Sequence, residues 1–414
     1  MNTTSGSFNP RSLHPFKPLG LAISLATVCL FGAAAFAAVD HSKHGMASPA
    51  RIAQAELGAT AVFDAKGILW SAHKDAGHIA VSRSDDLGKS WSKPVHVTPA
   101  PEATDTGGDA RPKIATGPAG EIFVTWTKPF AAPHSGAIRF SRSLDHGKTF
   151  SPPVTVHADP AETTHRFDTM AVNRQGQLFI AWIDKRDLLA ATAAKTPYRG
   201  AAVYFAVSDD RGATFRGDFK LADHACECCR IALTARADGT VVAIWRHIFA
   251  PNIRDHALAQ LHPDGRAGEV RRASFEDWRM DACPHHGPSI AEDAAGRLHT
   301  VRFTLAPKSE GAFYGRPRDN GMDGQRRIGG DTAAHPDLAT AGRRVAVAWT
   351  EFDGERSRLR AMVSEDGGVT WREHELATTT DMYDQPRVLT VGNRFLVFWN
   401  TRNEPLSVTS IPST

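Results

Sequence analysis

The 414-residue chain has little cysteine, five residues in all, and little net charge, only +3. Acids and bases are interspersed, so no basic stripe points to nucleic acid or to an anionic membrane surface. A mean hydropathy of −0.30 excludes a chain that crosses a bilayer many times. No segment signals a helix of any length. The stretch Ala190-Ala-Thr-Ala-Ala-Lys195 offers at most a turn or two and reads as an insertion loop between strands. No Cys-x-x-Cys-His occurs, which excludes c-type haem attachment. One apolar run is present, over residues 19–35, behind Arg11 and Lys17 and ahead of the small-residue site Ala35-Phe36-Ala37. It reads as a signal peptide over 1–37, cleaved after Ala37, with a flexible lead-in over 38–50. The mature chain is then exported, with the periplasm as its expected place and no membrane attachment beyond the signal segment. Disulfides persist there. Cys226, Cys228, Cys229 and Cys283 stay with the mature chain.

One eight-residue phrase is written four times. It reads Ser84-x-Asp86-x-Gly88-x-Ser90-Trp91, then Ser143-x-Asp145-x-Gly147-x-Thr149-Phe150. It returns as Ser208-x-Asp210-x-Gly212-x-Thr214-Phe215 and Ser364-x-Asp366-x-Gly368-x-Thr370-Trp371. The Asp carboxylate suits backbone N–H groups in a tight turn, and Gly two residues later supplies positive φ. The second hydroxyl ties the other limb, and the aromatic packs inward as the next strand starts. Each copy follows a strand-like run such as Ala201-Ala-Val-Tyr-Phe-Ala-Val207. The phrase resembles the Asp-box, or BNR repeat, of the sialidase superfamily, which implies a β-propeller over residues 51–414.

A second repeat alternates with the first: an apolar strand, a turn containing Gly, then a strand often closed by Trp. Its turn glycines are Gly67, Gly120, Gly176, Gly239, Gly296, Gly342 and Gly392. Their spacing runs from 46 residues (Gly296 to Gly342) to 63 (Gly176 to Gly239), which suits one four-stranded blade each. The expected fold is therefore all-β, a propeller of seven four-stranded blades, with the six-bladed sialidase ring as the alternative. The outer strands near 256–275 and 311–328 lack the Asp-box. Trp126, Trp182, Trp245, Trp349 and Trp399 recur at one module position and read as blade packing; Arg302 breaks their series.

Ligands of propellers usually sit where the innermost strands begin. The segments there contain Asp105, Asp109 and Arg111, then His165-Arg166-Phe167-Asp168, then His224-Ala-Cys226-Glu-Cys228-Cys229-Arg230. They continue with Asp281-Ala-Cys283-Pro-His285-His286, Asp331 with His335-Pro-Asp337, and Asp381-Met-Tyr383-Asp384-Gln385-Pro-Arg387. Every mature cysteine falls on this rim. Cys226, Cys228 and Cys229 should face Cys283, His285 and His286 of the next module across one crevice. Thiolate and imidazole together favour soft or borderline metals, copper first and zinc as the alternative. The spacing matches no zinc finger or ribbon, and not all six need be ligands. Arg230 and Asp281 would orient the ligands and adjust the local charge. His41, His44 and Met46 are a lesser copper-friendly group. Structural disulfides are the alternative, with Cys283 bridging to one of the triplet; the ring closed by adjacent Cys228 and Cys229 is strained.

The superfamily resemblance implies a second chemistry, glycoside hydrolysis of the exo-sialidase type. Its active members grip a substrate carboxylate with three arginines, for which Arg111, Arg230 and Arg387 stand here. Tyr383 would be the nucleophile, and Asp109 or Asp105 the acid. The chain departs from that pattern in lacking the Phe/Tyr-Arg-Ile-Pro motif; the region reads Leu57-Gly-Ala-Thr-Ala-Val. The only rim Glu is Glu227, between cysteines. The expected partner is thus a metal ion or a small glycan at the channel mouth. A propeller that docks a periplasmic protein and uses disulfides for rigidity is the third reading.

Overall fold

A computed structural model describes residues 57–280 and 284–412. The signal-peptide and lead-in expectations, the His41/His44/Met46 group, Asp281 and Cys283 all lie outside these residues. The described chain forms seven antiparallel sheets in sequence order, six of four strands and a last one of three, Arg387–Val391, Arg394–Phe398 and Val408–Ser410. Their innermost strands are Thr60–Phe63, Lys113–Thr116, His165–Val172, Ala232–Ala235, Ser289–Glu292, Ala334–Ala341 and Arg387–Val391. Each touches the innermost strands of the blades before and after it, and Arg387–Val391 touches Thr60–Phe63. The ring is a seven-bladed β-propeller. It closes where the Gly58 and Ala59 amides donate to the Asp384 carboxylate at 2.8 and 2.9 Å.

The Asp-box turns lie between the third and fourth strands of blades 1, 2, 3 and 6. In each, the leading Ser hydroxyl accepts the Gly amide at 2.7–2.8 Å. The Asp carboxylate accepts the amide and hydroxyl of the closing Ser or Thr, as with Thr149 at 3.0 and 2.6 Å. Gly147 has φ 73°, and a Cβ there would overlap the Trp70 ring of the preceding blade. Close approach between blades thus adds to the conformational demand for glycine. The residue before it is left-handed as well, His146 in this turn.

Between blades, the core is built by the recurring tryptophans. Trp126, Trp182, Trp245 and Trp349 are at most 1% exposed, each with apolar side chains of its own or the adjoining blade around it. Burial of one such ring stabilises by about 4–6 kcal/mol relative to exposure. Arg302, in the fifth module, is also buried, and the Glu276 carboxylate pairs with it there. One expectation fails: residues Arg186–Ala194 form a nine-residue α-helix instead of a loop. The segment is rich in Ala and Leu, Asp187 stands in its first turn, and Lys195 ends it in the left-handed conformation. Tyr204 donates to Asp187 at 2.8 Å, tying the helix to blade 3. Among the described residues no helix is long and apolar enough to cross a membrane.

Candidate functional site

The segments that enter the inner strands share an unusual backbone. Phe167, His224, His285 and His335 all have φ between 51° and 60°. Such a conformation costs a non-glycine residue about 1 kcal/mol, and histidine is among the types that adopt it more readily. Strand register also shifts beside two of them, between Ala181 and Ile183 and between Ala334 and Asp337.

Cys226, Cys228 and Cys229 leave the outer strand Arg216–Ala225 of blade 3 and lead to the inner strand of blade 4. All three are buried and none is in a disulfide. The Cys226 sulfur lies 3.8 Å from that of Cys228 and 3.6 Å from that of Cys229. The three sulfurs all fall within 4.8 Å of one another. The Cys226 amide donates to the Arg246 carbonyl at 2.8 Å, which fixes the turn. The Cys226 sulfur shares hydrogen bonds with those of Cys228 and Cys229, and Arg246 adds a nearby positive charge. Together they hold the Cys226 thiol well below its usual range, while the same bonds push Cys228 and Cys229 up. Arg254 Nη1 stands 3.6 Å from the Cys226 sulfur. Glu227, between the cysteines, pairs with Lys185 just ahead of the helix.

Next to the thiols the mouth is held by a buried polar network. Asp109 accepts from the Arg230 amide and the Gly287 amide, each at 3.2 Å, and from Arg230 Nη1 at 3.1 Å. Arg230 also donates to Pro288 O, Gln385 Oε1 and Pro336 O at 2.9–3.0 Å. Burial works against the Asp109 charge, but Arg230 and His335 outweigh it and hold the carboxyl below its usual range. Arg111 donates to Gln385 O at 2.7 Å, and burial pulls it down to about 10. Arg387 pairs with Asp337 at 3.2 Å.

A pocket of about 510 Å³ opens over this network, with Asp109, His285, His335, Tyr383, Gln385 and Arg402 in its lining. The His286 ring stacks between Phe303 at 3.9 Å and His335 at 4.3 Å. Burial lowers His286 to about 3 and His335 to about 4, so both are neutral near pH 7. Tyr383 packs on Trp399 with ring centroids 5.2 Å apart.

The Arg230 guanidinium reaches the Pro288 carbonyl, so the described parts of the two rim segments lie side by side. The candidate ligands there divide. The three thiols form their own group, whereas His285 lines the mouth pocket and His286 backs it. The three arginines of the glycosidase reading converge, but Arg111 and Arg230 are 3% and 6% exposed and are already bonded within the protein. Sequence reasoning missed Arg246 and Arg254. A signal existed: after the recurring Trp the other modules place Thr127, Ile183, Thr350 and Asn400, and only Arg246 is charged.

No protein-family model matches this sequence, and none of the curated proteins is a significant match to it. Solved structures do match. A protein of unknown function from Dyadobacter fermentans aligns with TM-score 0.51 and 17% identity, over 72% of this chain and 92% of that one. An ulvan lyase of polysaccharide lyase family PL25, bound to -[GlcA(1-4)Rha3S]-, aligns with TM-score 0.53 and 12% identity, over 86% and 94%. The Hadza microbial sialidase Hz136 aligns with TM-score 0.47 and 13% identity, over 83% and 76%. The chain is a seven-bladed β-propeller, and its fold is similar to that of the ulvan lyase at 12% sequence identity.

Proposed function

We propose that this is an exported propeller that binds a thiophilic metal ion, copper or zinc, through Cys226, Cys228 and Cys229 at the channel mouth. The observation that carries the reading is the sulfur spacing. A tetrahedral ion with metal–sulfur bonds of about 2.3 Å has its sulfurs about 3.8 Å apart. Two of the three spacings here are 3.8 and 3.6 Å. The ion would need little rearrangement of the protein, and its attraction for thiolate replaces the thiol protons. Cys283 lies outside the described residues, and the reading rests on the three thiols alone. The test is to purify the full chain from the compartment it is exported to, then measure bound metal and free thiols together. One metal ion per chain, lost in Cys226→Ser and Cys229→Ser, supports the reading; two disulfides and no metal overturn it. A mature N-terminus at Ala38 in the same preparation supports export.

The mouth pocket favours a second reading, a small glycan held over Asp109, His335 and Tyr383. The saturated bonding of Arg111 and Arg230 speaks against a three-arginine grip on a sialic acid carboxylate. Turnover of a fluorogenic sialoside, abolished by Arg387→Ala, would restore that mechanism.

A further inference from the structure

Resting on the proposed thiol site, we infer that it is built for a monovalent ion, Cu(I), and that Arg246 and Arg254 set this preference. The argument is one of charge in a buried place. Among the other deeply buried arginines of this region, Arg230 pairs with Asp109 and Arg302 with Glu276, and Arg111, though not ion-paired, has the charges of Asp384 and Asp337 nearby. Arg246 is 1% exposed and has no carboxylate partner among the described residues. Its N–H groups meet only carbonyls, those of Arg254 at 3.0 Å, His286 at 3.0 Å and Phe303 at 2.7 Å, and its guanidinium lies 4.7 Å over the Trp278 ring. Arg254 is half-buried, donates to the Met280 carbonyl at 2.8 Å, and otherwise points at the Cys226 sulfur. The Arg254 guanidinium thus touches the thiols and the Arg246 charge lies near them, neither with a carboxylate of its own among the described residues. A buried charge without a counter-charge is costly, so the partner must come from the cluster.

Coordinated thiols are deprotonated. Three coordinated thiolates around a monovalent ion leave a cluster of charge −2, which two guanidiniums neutralise. The same thiols around a divalent ion carry −1 and leave one positive charge buried. Donor number points the same way. The described group offers three sulfurs and no imidazole, which suits three-coordinate Cu(I), whereas structural zinc takes four ligands. Arg246 and Arg254 are positioning and charge-setting residues rather than ligands.

The test uses the full mature chain, reduced and metal-free, titrated without oxygen. Cu(I) is supplied as a complex with a competing chelator, and Zn(II) in a separate competition. Arg254→Gln is the first variant, since its side chain is not part of the core. Its Cu(I) affinity should fall about tenfold, with a smaller fall for Zn(II), because the −2 cluster loses more attraction than the −1 cluster. Arg246→Gln should lower the ratio of Cu(I) to Zn(II) affinity further. An unchanged ratio in Arg254→Gln, or wild-type protein that binds Zn(II) as tightly as Cu(I), overturns the inference alone. Wild-type protein that binds neither ion overturns the thiol site on which it rests.

Discussion

The Arg230 guanidinium meets the Asp109 carboxylate at 3.1 Å across the channel mouth, although 121 residues separate the two in sequence. Arg230 leads into blade 4 and Asp109 into blade 2, and the same carboxylate takes the Gly287 amide ahead of blade 5. One buried ion pair therefore ties together three blades. It also uses up the arginine that a glycosidase would need.

Asp109→Ala should therefore destabilise the ring strongly. It leaves Arg230 buried without its counter-charge, a loss of about 3–5 kcal/mol. Chemical denaturation of the full chain checks this. The pH dependence has a definite sign. The folded carboxyl titrates below its unfolded value, so its contribution is complete above the unfolded pKa and is lost as pH falls through the folded one.

A second acid sensitivity comes from histidine. His157 stacks on His165 at 3.7 Å, and burial with the charge of His165 lowers it to about 4. In the unfolded chain the same ring titrates near 6.5. Between these two values the unfolded state binds the extra proton, so stability falls as pH drops from about 6.5 to 4 and levels off below. This group contributes at most about 1.4 kcal/mol per pH unit. Denaturation at a series of pH values should show a shallower slope in His157→Phe, which keeps the stacked ring without the titration. An unchanged slope would remove His157 from the account.

The Asp-boxes should behave as local clamps with no link to the proposed metal site. Asp210 accepts the Thr214 amide at 2.9 Å and the Thr214 hydroxyl at 2.7 Å, on the outer turn of blade 3. Asp210→Ala should cost about 1 kcal/mol in denaturation experiments and leave metal content unchanged. Loss of metal in this variant would show that the outer turn and the mouth are coupled.

These residues also show how far a sequence can be read. The Asp-box and the turn glycines specify structure through neighbours within eight residues, so blade number and register were legible. Closure by Asp384 on Gly58 was not, because it spans 326 residues. The helix Arg186–Ala194 escaped because a short Ala-rich insert has no buried face to give it periodicity, and none of its residues is buried. At the mouth, residue types were informative and partners were not. Cys226, Cys228 and Cys229 read as a cluster from their spacing alone, whereas Arg230 and Arg111 read as substrate-gripping groups until their bonds to Gln385 were seen. Arg246 was passed over because its importance lies in what it lacks, a carboxylate, and that is a property of its surroundings.

The central claim, a thiophilic metal held by the cysteine triplet, is tested most directly by X-ray absorption at the metal edge on the full chain as purified. The account predicts one bound ion per chain with at least three sulfur scatterers at about 2.3 Å. An ion surrounded only by nitrogen and oxygen, or protein with no metal and its thiols joined as disulfides, would contradict it.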